Sequence, residues 1–330
     1  MNARLLETHG DPLGTIRSLI YDLWQQANLD GILLPTQDFP SAKAKPEIID
    51  QPEALEDFNP FKPVMSENSA RLLVEERRRS PDLTFAAVLR PCETRALHEM
   101  LKRDHFDLDR AFIVCVDCLG TFPLEEYEWR LARKGSIDRL AQEALQFAHQ
   151  GGILAYRYRP ACQLCSSPEA QGSDLNLSVI GLPVRQYLLV SVSDRLAERG
   201  FIPGKTDPES TLEWLLGQHQ RALAKLAERN NRTRERIEAS LGGLLPENLE
   251  ELLDHFQACG GCEKCMAVCP ICYVDYPRRD PDQRYRREDI ARWLISCAGC
   301  GMCEQACPQN QPLSAIFGHV KARLIEELRL

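Results

Sequence analysis

The feature that most constrains this chain is a cysteine motif that occurs twice in its last quarter. Both copies have the spacing C-x2-C-x2-C-x3-C-P: CGGCEKCMAVCP begins at Cys259, and CAGCGMCEQACP begins at Cys297. Three thiolates at two-residue intervals in one loop reach three corners of an iron–sulfur cube, and the cysteine before the proline ligates the other cube in chains with two motifs. The repeated spacing therefore predicts two 4Fe-4S clusters.

Each predicted cluster takes three ligands from one motif and the fourth ligand from the other motif. The first cluster is assigned to Cys259, Cys262, Cys265 and Cys307. The second cluster is assigned to Cys297, Cys300, Cys303 and Cys269. Glycines in the two loops are expected to let backbone N–H groups approach the sulfur atoms, namely Gly260, Gly261, Gly299 and Gly301.

Zinc is the alternative occupant of these thiols. C-x2-C pairs form Zn(Cys)4 sites, so the same thiolates can hold zinc ions and stabilise an interaction scaffold without redox activity. Zinc sites are usually built from separated pairs, whereas here a triple run is followed by Cys-Pro, which favours iron–sulfur clusters. Cys272 completes a C-x3-C-x2-C spacing with Cys265 and Cys269. Because those two are already assigned, Cys272 is expected to be a small buried residue.

Length, charge and cysteine use narrow the class of protein. A chain of 330 residues is long enough for two domains, and its net charge of −8 disfavours a nucleic-acid binder, which needs a basic face. The longest apolar run, residues 111–116, is far shorter than a membrane-spanning helix, and residues 1–10 contain no apolar stretch of signal-peptide length. We therefore expect a cytoplasmic protein without a transmembrane segment, whose clustered thiols bind metal and do not form disulfides.

The region before the motifs has the pattern of an α/β domain. Residues 84–90 and 110–117 are predicted strands, and residues 92–103 form the helix between them, so the two strands are expected to be parallel neighbours. A helix followed by a strand is predicted over residues 11–34, whereas the Pro-rich residues 36–66 are expected to be an irregular connection. The predicted fold class is α/β (α+β) with a partly parallel sheet.

Helical patterns connect this region to the cysteine motifs. Residues 212–239 have the pattern of a charged amphipathic helix, and a second helix is expected to start at Pro246. The predicted division is a first domain over residues 1–210, a helical linker over residues 211–250, and a mostly helical two-cluster domain over residues 251–330.

Four further cysteines are candidates for a third site, in the first domain. Cys92 and Cys118 each follow a strand of the predicted strand–helix–strand unit, so both belong to the carboxyl edge of the sheet, where open α/β folds bind ligands. Cys162 and Cys165 form a C-x2-C pair in a turn and complete a set of four. The alternative is that Cys92 and Cys118 are packing residues and that the pair binds zinc or is redox-active. Cys115 lies at odd spacing from Cys118, so it is expected in the core.

Several segments together give the chain a family resemblance. They are VLRPCETRALHEML, FIVCVDCLGTFP, RPACQLCSSPEAQGSDLNLSVIG, the two cysteine motifs and QPLSAIFGHVKARLIEEL. In these segments the chain resembles the beta subunit of the methanogen-type formate dehydrogenase that is linked to the deazaflavin coenzyme F-420, and more distantly the beta subunit of the deazaflavin-reducing hydrogenase. The resemblance implies a flavin-fold first domain, a ferredoxin-like second domain, and a third 4Fe-4S cluster held by Cys92, Cys118, Cys162 and Cys165.

The resemblance also implies bound FAD. In the family a Gly-Gly-x-Val-Thr segment opens the first helix and contacts FAD, and the equivalent segment here, residues 11–15, keeps Gly14 and Thr15 without the paired glycines. A second family segment places Asn68 beside these two as a candidate FAD-binding residue. Since close approach of a backbone to a pyrophosphate usually needs such glycines, a flavin-free subunit is the alternative. The chain has no G-x-G-x-x-G segment, so a separate NAD site is not expected.

The combined prediction is an electron-transfer subunit with no catalytic residue of its own. Iron–sulfur clusters carry single electrons, and FAD would join this one-electron transfer to two-electron chemistry. The sequence has no evident molybdenum, tungsten or nickel site. The resemblance therefore implies a partner chain that performs catalysis, from a formate dehydrogenase, a hydrogenase or a heterodisulfide-reductase-type complex.

Overall fold

A seven-stranded mixed sheet forms the centre of the first part of the chain. The computed structural model describes residues 2–37, 44–148, 157–204, 209–259 and 261–328. The strands are β1 (Asn2–Glu7), β2 (Gly31–Gln37), β3 (Ala44–Ile49), β4 (Phe85–Leu89), β5 (Ala111–Val116), β6 (Leu175–Ser178) and β7 (Tyr187–Val192). Their order across the sheet is β1-β7-β6-β5-β4-β2-β3. The inner strands β2, β4, β5 and β6 are parallel, and antiparallel pairs complete both edges.

Helices cover both faces of this sheet and form most of the remainder. In the described residues they are α1 (Pro12–Ala27), α2 (Ser69–Arg79), α3 (Pro91–Arg103), α4 (Leu124–Lys134), α5 (Ile137–Ala148), α6 (Pro160–Gln163), α7 (Asp194–Ala197), α8 (Glu209–Leu241), α9 (Leu249–Ala258), α10 (Lys264–Ala267), α11 (Pro270–Val274), α12 (Arg287–Ile295), α13 (Met302–Ala306) and α14 (Leu313–Leu328). None of these helices is both long and apolar enough to cross a lipid bilayer. The predicted fold class, an α/β domain followed by a mostly helical region, is confirmed.

The strand–helix–strand unit is confirmed in its bounds and direction. Every residue of β4 and β5 is buried, as expected for inner strands covered on both faces. The two strands pair in parallel with Val88 opposite Val114, and α3 is the helix that connects them. The carboxyl ends of both strands therefore lie at one edge of the sheet, which is the edge that Cys92 and Cys118 follow.

Two local expectations were wrong. The region of residues 36–66 contains β3, which pairs antiparallel with β2, and a 3-10 turn at Pro52–Asp57. The helix expected from Pro246 begins later, at Leu249, because Asn248 caps it: the Asn248 Oδ1 accepts a hydrogen bond of 3.0 Å from the Glu251 N–H.

The sheet separates two hydrophobic cores. One face packs against α1 and the first half of α8, from which Leu215, Ala222 and Leu226 are buried. The other face packs against α2 and α3, and this second core continues into the C-terminal helices through residues such as Trp293 and Phe317. The cysteine-rich region and the sheet domain thus share one core. The division of the chain at residues 210 and 250 stays a prediction.

Candidate metal centres

The two cysteine motifs fold into loops with the same backbone pattern. In the first motif Glu263 immediately precedes α10, and in the second motif Gly301 immediately precedes α13 at the equivalent position. These residues have left-handed φ values of 55° and 69°, and the preceding glycines, Gly261 and Gly299, have φ values of 62° and 66°. Left-handed backbone at matching positions turns each loop back on itself, so its cysteines face a common centre. Gly260 lies outside the described residues.

The first predicted set of thiols lies together. Burial, together with negative charge on Cys259, Cys262 and Cys307, raises the pKa of the Cys265 thiol to about 11. Thiols affect one another in this way only when they are close in space. Cys262 is exposed, whereas the other three are partly buried. The structure therefore brings Cys307, from the second motif, to the three cysteines of the first motif.

The second predicted set has the reciprocal arrangement. Burial raises the pKa of the Cys303 thiol well above its ordinary value, and Cys297, Cys300 and Cys269 add to the increase. Burial and, after it, negative charge on Cys269 raise the pKa of Cys300 to about 12. Cys269, from the first motif, thus lies with the three cysteines of the second.

The third set lines one cavity at the carboxyl edge of the sheet. Cys92 lies in the first turn of α3, Cys118 follows β5, and Cys162 and Cys165 lie in and just after α6; all four face the cavity. Burial, together with negative charge on Cys162 and Cys165, raises the pKa of Cys118 to about 12. Cys300 of the second set lines the same cavity. The second and third groups of cysteines are therefore neighbours.

Two side chains of α8 hold the loop that carries Cys162 and Cys165. The Asn230 Nδ2 donates to the Cys165 carbonyl at 2.6 Å, and the Arg234 guanidinium donates to the Leu164 carbonyl at 2.7 Å. The long helix therefore packs across the third set as well as on the sheet. Cys115 is fully buried in β5, as expected of a core residue.

Arg159 and Thr121 control the charge of Cys162. Burial alone would raise the pKa of this thiol, but the Arg159 guanidinium and the Thr121 hydroxyl outweigh burial and hold the pKa below its ordinary value. The Thr121 Oγ1 lies 3.2 Å from the Cys162 Sγ, and the nearest Arg159 nitrogen lies 3.9 Å from it. This environment favours a thiolate, which is the form that binds iron.

Sequence reasoning missed two donors to Cys269. The S–H of Cys272, which was expected only to fill space, is directed at the Cys269 sulfur and is the main reason that the pKa of Cys269 falls to about 6. The indole N–H of Trp293 donates to the same sulfur at 3.3 Å. The position of Cys272, three residues after Cys269 and within α11, could have indicated a hydrogen bond to the Cys269 sulfur. No local sequence pattern indicated the same role for Trp293.

The donor sets fit 4Fe-4S clusters. Each set consists of four thiols without histidine or carboxylate, which is the ligand set of such clusters. In the described part of the chain, no three Cys, His, Asp or Glu side chains lie close enough together to hold a single metal ion. All of the cysteines except Cys115 and Cys272 belong to one of the three sets.

The residues expected to bind FAD do not fit it. The Asp11 carboxylate caps α1, where it accepts a hydrogen bond of 2.9 Å from the Gly14 N–H, and a Cβ on Gly14 would lie 2.2 Å from it. The Thr15 hydroxyl donates to the Asp11 carbonyl at 2.8 Å. A negative carboxylate thus occupies the helix N-terminus at which a pyrophosphate would bind.

Asn68 is separated from this position by the sheet. Asn68 caps α2, whose apolar residues belong to the second core, whereas α1 belongs to the first. The Asn68 Oδ1 accepts from the Ala70 N–H at 3.1 Å. The large cavity at the start of α1 is lined by Asp11 but by neither Gly14 nor Asn68.

Comparisons with known proteins agree with the geometry of the thiols. Residues 257–311 match the family model of the 4Fe-4S dicluster domain. The F420-dependent formate dehydrogenase subunit beta of Methanocaldococcus jannaschii is 21% identical over 288 residues, which is 75% of this chain and 73% of that protein. The F420-dependent formate dehydrogenase 1 subunit beta of Methanococcus maripaludis is 23% identical over 290 residues, which is 75% of this chain and 72% of that protein.

A solved structure has a similar fold. A chain of the F420-reducing NiFe hydrogenase complex from Methanosarcina barkeri superimposes with a TM-score of 0.52 at 14% sequence identity. The match covers 74% of this chain and 94% of that chain. The resemblance to formate dehydrogenase beta subunits, inferred from sequence segments, is confirmed, and the fold is similar to that of a chain of this hydrogenase complex.

Proposed function

We propose that this chain is an iron–sulfur electron-transfer subunit of a larger oxidoreductase and that it holds three 4Fe-4S clusters. The observation that carries the proposal is the gathering of the cysteines into three adjacent four-thiol sets, two of them in a segment that matches a 4Fe-4S dicluster domain. When bound, a cluster of this type takes up and releases one electron at a time.

Each set has a distinct role in this proposal. Cys259, Cys262, Cys265 and Cys307 hold the first cluster, and the exposed Cys262 brings it nearest to solvent. Cys297, Cys300, Cys303 and Cys269 hold the second cluster, and Cys92, Cys118, Cys162 and Cys165 hold the third. Because Cys300 lines the cavity of the third set and Cys307 comes from the second motif, the order third, second, first is a continuous path between the sheet domain and the surface.

The partner we propose is a catalytic subunit that oxidises formate or hydrogen and releases two electrons to this chain. The names of the relatives support it: two are formate dehydrogenase beta subunits, and the structural neighbour comes from a hydrogenase complex. A heterodisulfide-reductase-type complex is a further partner of the same class. The proposal places the chain in the cytoplasm, where a reducing environment keeps free thiols available for iron.

Metal analysis tests the proposal. Protein purified without oxygen should contain about twelve iron and twelve sulfide per chain, since three cubes hold that many, and dithionite should produce EPR signals of reduced clusters. Replacing Cys265, Cys303 or Cys118 by Ser should each remove about four iron. The matched control is Cys115→Ala, which alters a buried cysteine outside every set. Zinc in place of iron would support the scaffold alternative and contradict the proposal.

A flavin-free form of this subunit is favoured by the Asp11 carboxylate at the start of α1. We propose that electrons leave or enter through protein partners without FAD bound at Gly14, Thr15 and Asn68. Acid extraction of the anaerobic protein measures this directly. FAD at about one per chain would contradict the flavin-free form and leave the iron–sulfur proposal intact.

A further inference from the structure

Arg159 is a buried cation that touches two of the three cysteine sets. Its side chain is 4% exposed and lies immediately before α6. One terminal nitrogen, Nη2, lies 3.9 Å from the Cys162 Sγ of the third set and 3.1 Å from the Cys300 carbonyl oxygen of the second set. The guanidinium therefore lies between these two sets.

Neutral partners fix the guanidinium in this position. Its Nε donates to the Thr121 hydroxyl at 2.8 Å, and its Nη1 donates to the Gln305 Oε1 at 3.1 Å. The sulfur atoms of Met65 and Met302 lie at 3.3 Å and 3.7 Å from its terminal nitrogens. Among the described residues no carboxylate forms an ion pair with Arg159. A buried charge without a countercharge is costly, so the geometry requires negative charge from the thiolate sets themselves.

The contact between the two loops is close. Gly301, the residue after Cys300, packs so tightly on α6 that a Cβ added to it would lie 2.3 Å from the Cβ of Ala161. A second arginine, Arg95, also joins the two regions, through the carbonyls of Ser167 at 2.8 Å and Ala298 at 3.2 Å. Both guanidiniums act on a ligand sulfur, Arg95 on that of Cys165 and Arg159 on that of Cys162. Arg159 differs from Arg95 in that it is buried, whereas Arg95 is only partly buried.

We propose that Arg159 is a positioning residue that sets the reduction potentials of the second and third clusters together. The inference rests on the proposed iron–sulfur function. Reduction adds negative charge to a cluster, and a fixed positive charge in a medium of low dielectric constant stabilises the reduced form. Because a single guanidinium contacts both of these sets and, among the described residues, no cysteine of the first set, its removal should make the second and third clusters harder to reduce and leave the first unchanged.

The experiment is an EPR-monitored redox titration of the anaerobically purified, full-length protein. We compare the wild type with Arg159→Gln and Arg159→Met, which are neutral, and with Arg159→Lys, which keeps the charge. The neutral variants should shift the reduction equilibria of two clusters by about tenfold or more toward the oxidised form, which is about 59 mV for a one-electron couple. Arg159→Lys should restore most of the shift.

Arg77→Gln is the matched control. Arg77 is equally buried, but in the part of the chain that the structure describes its guanidinium donates only to backbone carbonyls, those of Ser80, Pro81, Leu83 and Asp107. Its replacement should lower stability without moving any potential.

The inference is overturned if the neutral variants keep about twelve iron and their potentials equal those of the wild type, or if Arg159→Lys behaves like Arg159→Gln. If the neutral variants lose the third cluster, the second cluster is compared with that of Cys118→Ser, which lacks the third cluster but keeps Arg159. A lower potential in the arginine variants supports the inference, and equal potentials overturn it. Wild-type protein without iron would overturn the proposed function, whereas unchanged potentials with full iron content overturn the role of Arg159 alone.

Discussion

The tight contact at Gly301 gives a prediction whose size follows from the structure. Replacing Gly301 by Ala has two costs. A left-handed backbone with φ of 69° costs an alanine about 1–2 kcal/mol. The new methyl group would also lie 2.3 Å from the Cβ of Ala161, and relieving that overlap costs about 1–3 kcal/mol. The expected total loss of stability is about 2–5 kcal/mol.

Gly299→Ala is the matched control, because comparison with it isolates the steric part of the cost of Gly301→Ala. Gly299 has nearly the same φ, 66°, in the same loop, but a Cβ added to it would meet nothing within 4 Å. It should therefore lose only the backbone cost of about 1–2 kcal/mol. The difference between the two variants measures how tightly the second-motif loop is packed against α6.

Anaerobic urea unfolding of the iron-loaded variants, followed by circular dichroism, measures this difference. We expect the transition of Gly301→Ala to occur at lower urea concentration than that of Gly299→Ala. Coincident transitions would refute the reasoning, because they would mean that the loop of Cys300 and the loop of Cys162 are not in contact in solution.

Three further predictions concern the surroundings of the clusters. Asp117→Asn should lower the free energy of unfolding by about 1–3 kcal/mol. The buried carboxylate accepts hydrogen bonds of 2.8–2.9 Å from the N–H groups of Ala170, Val179 and Ile180, and an amide cannot accept all three. Thermal unfolding of the variant beside the wild type measures the loss. Trp293→Phe removes the N–H that donates to the Cys269 sulfur, so the second cluster alone should become harder to reduce. A redox titration in which the potential of another cluster shifts would contradict this prediction. Anaerobic removal of iron by a chelator should increase hydrogen exchange in residues 160–165, 261–274 and 297–307, because these loops carry most of the proposed ligands. The buried strands β4 and β5 should stay protected, and uniform loss of protection would be the contrary result.

Local sequence patterns were sufficient wherever neighbouring residues determine the structure. The continuous apolar runs of β4 and β5 and the helix between them predicted a parallel pair, and the structure has that pair. The charged amphipathic helix predicted over residues 212–239 is likewise present, as part of α8. In each case the signal and the structure lie within about 30 residues, the size of a strand–helix–strand unit.

Edge strands were not predictable in the same way. β1 is a strand because it pairs with β7, which lies far along the chain, and β3 is one because it pairs with β2 across residues rich in proline and charge. An edge strand is stabilised by its partner and by the packing of one face more than by its own composition. Both therefore lacked a sufficient local pattern.

The features of the candidate site were likewise predictable where neighbouring residues determine them and not where distant segments meet. Motif spacing predicted which cysteines can share a cube within one loop, and those thiols do lie together in the structure. It did not predict the Arg159–Cys300 contact, the Trp293–Cys269 hydrogen bond or the Gly301–Ala161 contact, since each joins segments that are separate in sequence. The sequence predicted one domain with the third set and another with the first and second sets, and this division gave no indication that the second and third sets are in contact.

The uneven burial of the thiols has a consequence for how the molecule ages in air. Cys262 is the one exposed cysteine among the described residues, whereas the other eleven cysteines of the three sets are partly buried. Oxidants arrive through water, so oxidative damage should begin at the proposed first cluster, which Cys262 ligates, and reach the second and third clusters later. Preparations exposed to air would then contain molecules that have lost the first cluster and can no longer pass electrons through it, although they retain the other two.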